Sequence, residues 1–424
     1  MATVLGVDFG TTNSVVAALD TQTGQLRTVR FASDAGAADV FRTVLCFWSE
    51  QERGRTTRHA AGPAAISAYL DDPLDSRLVM STKTYLASRS FTSTNLLGRV
   101  WTLEQLIGLF LRELFAAAGL DGGALHVVAG RPVRFAGDGA DHAFGEQRLR
   151  ASFAAAGLDR IDVALEPEGA GYRFTRSLDS PATVLIGDFG GGTSDFSVLR
   201  VTPGGSSAVA ALGQAGVGIA GDAFDARILD HVVAPLLGKG TWYKPWGNRL
   251  PVPAEWYAAF ARWHRLSLMR SPRTLRDIAE VRRSAERPDQ LGHLLALIEG
   301  EQGYSLYQAV SAAKAALSGA DSTVLRFSHE EFRIEHTIHQ AEFERWIAPD
   351  LHRLDAAIGD ALSDAGVAAQ EVDRVFLTGG TAFVPAVRAL FTRRFGAERV
   401  SGGGEFVSVA EGLALIGAER LGRA

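Results

Sequence analysis

Two stretches of the chain share one pattern of apolar and polar positions. The first, VLGVDFGTTNS, starts at Val4 as an apolar run, passes through a glycine-containing polar turn and returns as a strand that ends at Leu19. The second, VLIGDFGGGTS, lies at an offset of 180 residues, and its return strand ends at Leu199. Each pattern predicts a strand, a tight turn and a second strand. Because Asp-Phe-Gly stays in register with both flanks, the pattern indicates a duplicated α/β unit.

Other segments repeat in the same order. Residues 127–132 and 375–380 are short apolar strands that lead into turns. Glu168-Gly169-Ala170 is echoed by Glu411-Gly412-Leu413, and each opens an apolar helical run. This alternation of strands and helices predicts mainly parallel sheets with helices on both faces, in which ligands gather at the carboxyl ends of the strands.

The second copy is longer than the first, and we predict an insertion over about residues 225–318. Four of the seven tryptophans lie in it: Trp242, Trp246, Trp256 and Trp263. Trp256, Phe260 and Trp263 follow the i, i+4, i+7 spacing of one helical stripe. We interpret the stripe as the small core of a lobe, with an aromatic and arginine-rich surface that meets a protein partner as the alternative.

Helical spacing also predicts helices over residues 103–117 and 304–317 and a helix that begins near Pro385. His336 and His339 have the i, i+3 spacing of one helix face. Since no third ligand accompanies them, we interpret them as a solvated helix face rather than a metal site.

The composition narrows the class of protein. With 424 residues, 46% of them hydrophobic and 21% charged, the chain is expected to form more than one compact lobe. A net charge of -5 argues against a nucleic-acid binder. One cysteine excludes an intrachain disulfide and a multi-thiolate metal site. Without a signal peptide or a long apolar run, we expect a soluble, cytoplasmic protein without membrane contact, and we favour a monomer.

The glycine-rich turns suit phosphate binding, because they expose backbone N–H groups with few side chains in the way. The candidates in the two turns are Gly10, Thr11, Thr12, Gly190, Gly191, Gly192 and Thr193. Asp8 and Asp188 stand directly before the turns, where carboxylates can hold Mg²⁺ through its bound waters. Two such loops facing each other predict a clamp for a nucleoside triphosphate.

Together these motifs resemble the ATPase domain of the 70-kDa heat-shock chaperones. Asp8–Ser14 and Asp188–Asp195 resemble the two phosphate motifs of that family, and Leu377–Thr381 resembles its adenosine motif. Glu166–Ala170 looks like the connecting Glu-Pro segment, and Gly221–Asp225 like a glycine turn that meets phosphate. The resemblance implies the actin-like ATPase (ribonuclease H-like) α/β fold: a duplicated two-lobe architecture with four subdomains and ATP or ADP with Mg²⁺ in a central cleft.

The resemblance also implies how the chain is organised. Residues 1–180 would form the first lobe and residues 181–424 the second, with the insertion as a subdomain of the latter. The chain ends soon after the helix that contains Glu411, so we expect no peptide-binding domain, as in short, ATPase-only (YegD-like) members of the family. The expected function is ATP binding with slow hydrolysis, exerted through protein partners. A filament-forming actin-like ATPase and a binding module with decayed hydrolysis are the alternatives.

The family implies a role for each matching residue. Lys83 would lie near the γ-phosphate, Glu166 near the metal shell or the attacking water, and Asp8 and Asp188 would organise Mg²⁺. Thr193 would act in catalysis as well as in phosphate binding. The residues implied to contact the nucleotide are Gly10, Thr11, Thr12, Asn13, Gly190, Gly191, Gly192, Thr193, Gly221, Asp222, Lys314, Ser318, Gly379, Gly380, Thr381 and Phe383.

The adenosine side departs from the family pattern. Where the family offers a glutamate, a lysine and an arginine, this chain has Ser311, Lys314 and Ala315. Phe383 stands where a further arginine is expected. An aromatic ring can stack on a base but offers no guanidinium hydrogen bonds. We therefore expect altered contacts to the base.

Overall fold

The structure is a computed structural model. It describes residues 3–33, 36–50, 56–120, 125–136, 139–158, 160–175, 178–202, 209–258, 269–402 and 408–422.

The strands, numbered in chain order, are β1 (Thr3–Phe9), β2 (Asn13–Asp20), β3 (Leu26–Thr28), β4 (Phe31–Ser33), β5 (Gly36–Ala38), β6 (Phe41–Arg42), β7 (Val44–Glu50), β8 (Thr56–Ala61), β9 (Ser76–Met80), β10 (Ser93–Leu96), β11 (Arg99–Thr102), β12 (Leu125–Arg131), β13 (Ile161–Leu165), β14 (Ala182–Phe189), β15 (Ser194–Val201), β16 (Val209–Val217), β17 (Trp242–Tyr243), β18 (Leu250–Pro251), β19 (Ser322–Ser328), β20 (Arg333–His339), β21 (Arg374–Thr378) and β22 (Val400–Gly402).

The α-helices are α1 (Gly62–Asp71), α2 (Leu103–Ala117), α3 (His142–Ala155), α4 (Glu166–Thr175), α5 (Gly221–Ile228), α6 (Ala234–Leu236), α7 (Glu255–Ala258), α8 (Pro272–Arg283), α9 (Pro288–Glu299), α10 (Gly303–Ala316), α11 (Gln340–Ala365), α12 (Pro385–Phe395) and α13 (Ser408–Gly422).

Two mixed sheets have the same strand order and the same directions. In the first sheet, β1 pairs in parallel with β12 and β12 with β13, while β2 and β3 continue antiparallel on the other side of β1. In the second sheet, β14 takes the place of β1, with β21 and β22 parallel on one side and β15 and β16 antiparallel on the other. The α/β duplication predicted from the sequence is confirmed.

Two helices of the repeat pack against each other. Helix α13 covers β1, β2 and β12 of the first sheet, and α4 covers β14, β15 and β16 of the second. They cross where Gly412 meets Gly169: a Cβ at Gly412 would lie 1.6 Å from the Gly169 carbonyl oxygen. Gly6 on β1 is equally close to α13, since its Cβ would lie 1.9 Å from the Ala410 carbonyl oxygen. The two echoing glycine segments of the sequence are thus the contact point of the two helices.

The chain divides into two compact units. The first unit comprises residues 1–218, 353–383 and 387–424, and it contains both five-strand repeats. The second unit comprises residues 219–352 and 384–386, and it contains helices α5 to α10 and the β19–β20 hairpin. The described residues of the predicted insertion belong to the second unit. The predicted lobe boundary at residue 180 stays a prediction.

Most predicted helices are present. Helix α2 has the predicted bounds, with Leu106, Phe110 and Leu114 buried on one side. Helices α10 and α12 begin at Gly303 and Pro385, close to the predicted positions. No helix in the described ranges has the length and apolar character needed to cross a membrane.

One predicted helical feature is wrong, and another is only partly covered by the described residues. His336 and His339 lie on strand β20 and not on a helix. The residues of β20 pair antiparallel with those of β19, and Ile334 and Ile338 on β20 are buried. The predicted helical stripe of Trp256, Phe260 and Trp263 lies in part outside the described residues; Trp256 itself is buried in α7.

Candidate functional site

Both predicted metal-binding aspartates lie at the carboxyl ends of central strands. Asp8 is the next-to-last residue of β1, and Asp188 holds the same place in β14. Phe9 and Phe189, which follow them, are buried in the core. Because side chains alternate along a strand, a buried phenylalanine at the next position turns each aspartate to the opposite face of its sheet.

The first phosphate turn is closed tightly and held from a neighbouring strand. A Cβ at Gly10 would lie 2.0 Å from the Asn13 carbonyl oxygen, so the turn requires glycine. The Thr43 N–H donates to the Thr12 carbonyl oxygen at 2.9 Å, and Arg42 Nη1 donates to Asn13 Oδ1 at 3.0 Å. Thr11, Thr12 and Asn13 remain half-buried, within reach of a ligand.

The second phosphate turn has the same form. The Gly190 N–H donates to the Thr193 carbonyl oxygen at 2.9 Å, which brings β14 back into β15. Gly190 is exposed, and Gly191, Gly192 and Thr193 are half-buried. The turn therefore presents small residues to solvent, as phosphate binding requires.

A buried ion pair joins two segments of the first unit. Lys83 lies in a 3-10 turn (Thr82–Tyr85), and its Nζ donates to Glu166 Oε1 at 2.7 Å. The two side chains are 10% and 8% exposed. Glu166 is the first residue of α4, directly after β13. Burying two charges costs several kcal/mol of desolvation for each ion, so such a pair is weak evidence of a purely stabilising role.

The carboxylates of this region interact strongly. Burial, together with the charges of Glu166 and Asp188, raises the pKa of Asp8 to about 8, and Lys83 opposes the shift. Burial, together with the charge of Asp188, also raises the pKa of Glu166 against the influence of Lys83. Burial lowers the pKa of Lys83, but Glu166 and Asp8 outweigh it, and the lysine stays a cation.

Two further residues complete the cluster, and sequence reasoning did not assign them to the site. Asp195 stands opposite Asp188 in the β14–β15 register, and burial with the charges of Glu166 and Asp188 raises its pKa to about 8. Thr378 is the parallel neighbour of Asp188 on β21, and its hydroxyl donates to Asp188 Oδ1 at 2.7 Å. Burial raises the pKa of Asp188, and this hydrogen bond acts in the opposite direction.

Asp195 was detectable as the last residue of the second phosphate motif. Thr378 was detectable as the residue before Gly379-Gly380. What the sequence lacked was the strand register that places both beside Asp188.

The donor set suits Mg²⁺ bound together with phosphate rather than alone. Within the described residues, no group of three or more His, Cys, Asp or Glu side chains could hold a metal ion. Asp8 and Asp188 are nevertheless hard oxygen donors, and burial raises the pKa of both carboxyl groups, a shift that a bound cation would oppose. Mg²⁺ usually keeps several waters and takes one or two carboxylates plus substrate phosphates. Asp8 and Asp188 fit that requirement.

The adenosine motif follows strand β21. Gly379 has φ +87°, and a Cβ there would lie 2.0 Å from the Phe189 carbonyl oxygen, so only glycine fits beside the second phosphate turn. Gly380 is exposed and opens a 3-10 turn (Gly380–Phe383). Within that turn the Thr381 side chain is buried, while Phe383 is 44% exposed.

The remaining predicted nucleotide contacts belong to the second unit. Lys314 Nζ donates to Asp225 Oδ2 at 2.8 Å and to the Gly221 carbonyl oxygen at 3.0 Å. Burial raises the pKa of Asp225 to about 6, although Lys314 opposes the shift. Asp222 lies in the first turn of α5, and Ser318 follows the end of α10. The sequence did not reveal that Lys314 is anchored by Asp225.

Comparison with known families agrees with this geometry. A family profile described as Hsp70 protein matches residues 147–239 and 301–422, about half of the chain. The matched ranges contain Glu166, Asp188, Lys314 and the adenosine motif, whereas Asp8 and Lys83 precede them. The duplicated sheets have the topology expected of the actin-like ATPase fold. The chain therefore belongs to the Hsp70 family and has its ATP-binding, actin-like ATPase fold.

Proposed function

We propose that the protein binds ATP with Mg²⁺ at the carboxylate cluster and hydrolyses it slowly to ADP and phosphate. The observation that carries the proposal is the buried Lys83–Glu166 ion pair, whose lysine is held beside Asp8 and Asp188. The cluster places a cation and several carboxylates at the carboxyl ends of two duplicated strands. Such a set of charges is better explained by binding of a phosphate ligand and its metal ion than by stabilisation of the fold.

Each group has a task in this proposal. Phosphoryl transfer depends mostly on positioning and charge neutralisation. The two glycine turns hold the phosphates, with Thr193 as an additional hydroxyl donor. Lys83 offsets charge on the transferred phosphoryl group, and Glu166 orients the attacking water. Asp8 and Asp188 would hold Mg²⁺ through its waters, and the metal would neutralise charge on the phosphate oxygens.

We further propose that the cycle serves a chaperone-like or regulatory role in the cytoplasm, exerted through protein partners. Gly221, Asp222, Lys314 and Ser318 stay proposed nucleotide contacts, as do Gly379, Gly380 and Phe383. With Ser311 and Ala315 in place of charged residues, fewer hydrogen bonds to the base are available. We therefore expect discrimination between ATP and GTP to be modest.

The first experiment substitutes Lys83→Ala. We expect kcat for ATP hydrolysis to fall roughly 100-fold, because an electrostatic group aimed at the developing charge is lost. The Kd for ATP with Mg²⁺, measured by calorimetry, should change far less. Lys244→Ala is the matched control, since Lys244 is 58% exposed and lies in the second unit.

Folding must be checked, because Lys83→Ala leaves Glu166 buried without its cation. The double variant Lys83→Met/Glu166→Gln removes both charges, and it should fold and still bind nucleotide without turnover. Wild-type turnover in Lys83→Ala would show that the lysine has no catalytic role. Absence of binding to ATP, ADP and GTP in the wild type would contradict nucleotide binding itself, and binding without any turnover would indicate decayed hydrolysis.

A further inference from the structure

One tryptophan of the second unit is almost completely exposed on a short hairpin. Strands β17 and β18 pair Trp242 with Pro251 and Tyr243 with Leu250, and we call residues 242–251 the tryptophan hairpin. Trp246, at its tip, is 98% exposed. Large apolar residues are common on surfaces singly, so exposure alone decides nothing.

The backbone holds Trp246 outward at a cost. Its φ is 47°, in the left-handed region that bulky residues rarely adopt. Such a conformation is strained and persists only where the surroundings impose it. A glycine or asparagine would relieve this strain, so an indole at this position indicates a use for the side chain.

The hairpin is fixed to the segment after α8. The Lys244 N–H donates to the Ser284 carbonyl oxygen at 2.9 Å, and the Glu286 N–H donates to the Trp242 carbonyl oxygen at 2.8 Å. The Arg249 guanidinium lies 4.5 Å from the centre of the Trp242 ring and donates to both carboxylate oxygens of Glu286. The base of the hairpin is therefore anchored, and little conformational entropy would be lost there on binding.

The charge around the hairpin is positive. Arg249, Lys244 and Arg287 surround a single carboxylate, Glu286, and together they lower its pKa, the hydrogen bond from Arg249 most of all. From Lys239 to Pro251 the chain contains no acidic residue. The surface thus combines a tryptophan anchor with a basic rim, the residue types most common in binding hot spots.

We propose that the tryptophan hairpin is the docking site of a protein partner with an acidic surface around an apolar pocket that accepts Trp246. This inference rests on the proposal that the protein works through partners, but not on ATP hydrolysis. A second copy of the chain is a poor occupant, because a two-fold contact would bring the same cations together. A membrane surface fits less well, because the residues beside Trp246 are Pro245 and Gly247, which add little apolar area.

The test places a photo-crosslinking benzoylphenylalanine at position 246 of the full chain, in the cells that express it. The control carries the same group at Val100, which is 62% exposed but lies in the first unit. We expect an acidic protein to be captured at position 246 and not at position 100. Mass spectrometry identifies that protein, which is then purified for binding measurements.

Binding of the purified partner should be at least tenfold weaker for Trp246→Ala than for the wild type and should weaken as salt rises. ATP binding by Trp246→Ala should stay unchanged, so that failure here is separable from failure of the ATPase proposal. Lack of a specific capture, or equal affinity of the variant, would overturn the inference. The inference would also be overturned if Trp246 were required for binding to phosphatidylglycerol vesicles or to a single-stranded DNA 20-mer and not to a protein.

Discussion

At the scale of single residues, the cluster is unusual because burial and neighbouring carboxylates raise the pKa of both Asp8 and Asp195 to about 8. Asp195 is 7% exposed, and its pKa is raised from 3.8 to about 8. Between these two values the folded protein holds a proton that the unfolded chain has lost. Stability must therefore fall as pH rises through this window, by at most about 1.4 kcal/mol for each pH unit.

We predict that Asp195→Asn flattens this dependence. Asparagine resembles the protonated acid in shape and cannot ionise, so the free energy of unfolding should fall less between pH 4 and pH 8 than in the wild type. The measurement is urea denaturation at a series of pH values without nucleotide. Asp360→Asn, at an exposed position of α11, is the control and should follow the wild-type curve. Parallel curves for Asp195→Asn and the wild type would show that Asp195 is not a buried, protonated acid.

Binding of Mg²⁺ should also release protons from the carboxyl groups that hold it. A cation near Asp8 and Asp188 lowers the pKa of both, so binding of ATP with Mg²⁺ at pH 7 should release protons, whereas ATP with EDTA should not. Calorimetry in two buffers of different ionisation enthalpy measures the number released. The observed enthalpy of binding depends on the buffer only if protons are exchanged. An equal enthalpy in both buffers would therefore contradict the proposed protonated state of Asp8.

The sequence predicted the residues of this cluster that lie in local motifs, but not those whose position depends on strand pairing. Asp8 and Asp188 were predicted because a repeated Asp-Phe-Gly pattern is local information. The role of Thr378 depends on the parallel pairing of β14 with β21, whose residues are separated by 190 positions. Long-range register of this kind is set by packing and leaves no local pattern to read.

At the scale of elements, the crossing of α4 and α13 explains the glycine echo in the sequence. Gly169 and Gly412 allow the two helix backbones to approach where any side chain would collide. A repeated Glu-Gly segment was visible in the sequence, but its role at the crossing of α4 and α13 was not. Helical periodicity shows which face of a helix is apolar, but it does not show which element packs against that face. For His336 and His339 the prediction was wrong: their i, i+3 spacing suggested a helix, but antiparallel pairing with β19 places both histidines on strand β20.

We predict that Gly412→Ala destabilises the protein by about 3 kcal/mol, at the upper end of overpacking costs, because the new methyl group meets backbone that cannot rotate away. Gly422→Ala is the matched control on the same helix, since a Cβ there meets nothing within 4 Å. That variant should change the free energy of unfolding by less than about 0.5 kcal/mol. Equal midpoints of thermal unfolding for the two variants would contradict the close helix crossing.

At the scale of the whole molecule, the first unit is assembled from chain segments that are far apart in sequence. Residues 353–383 and 387–424 belong to it, although residues 219–352 and 384–386 of the second unit precede or interrupt them in the chain. Sequence patterns identified the repeat and the insertion, but not the return of α13 to cover β1. That placement depends on apolar surface contributed by both halves, with Leu413 in one core and Ala410 and Ala414 in another.

We predict that a chain stopped after residue 407, which lacks α13, cannot form the sheets of the first unit. Val4, Val128 and Val184 are fully buried in the two cores that contain α13, and each would lose apolar contacts. Hydrogen exchange should show loss of protection in β1, β12 and β14, together with loss of ATP binding. Helix α9 and strand β19 of the second unit should keep their protection, since their packing does not include α13. A chain stopped after Gly422 should behave as the wild type. If the chain without α13 kept slow exchange in β1 and still bound ATP, then α13 would be a peripheral helix, and the two sheets would not depend on it for their core.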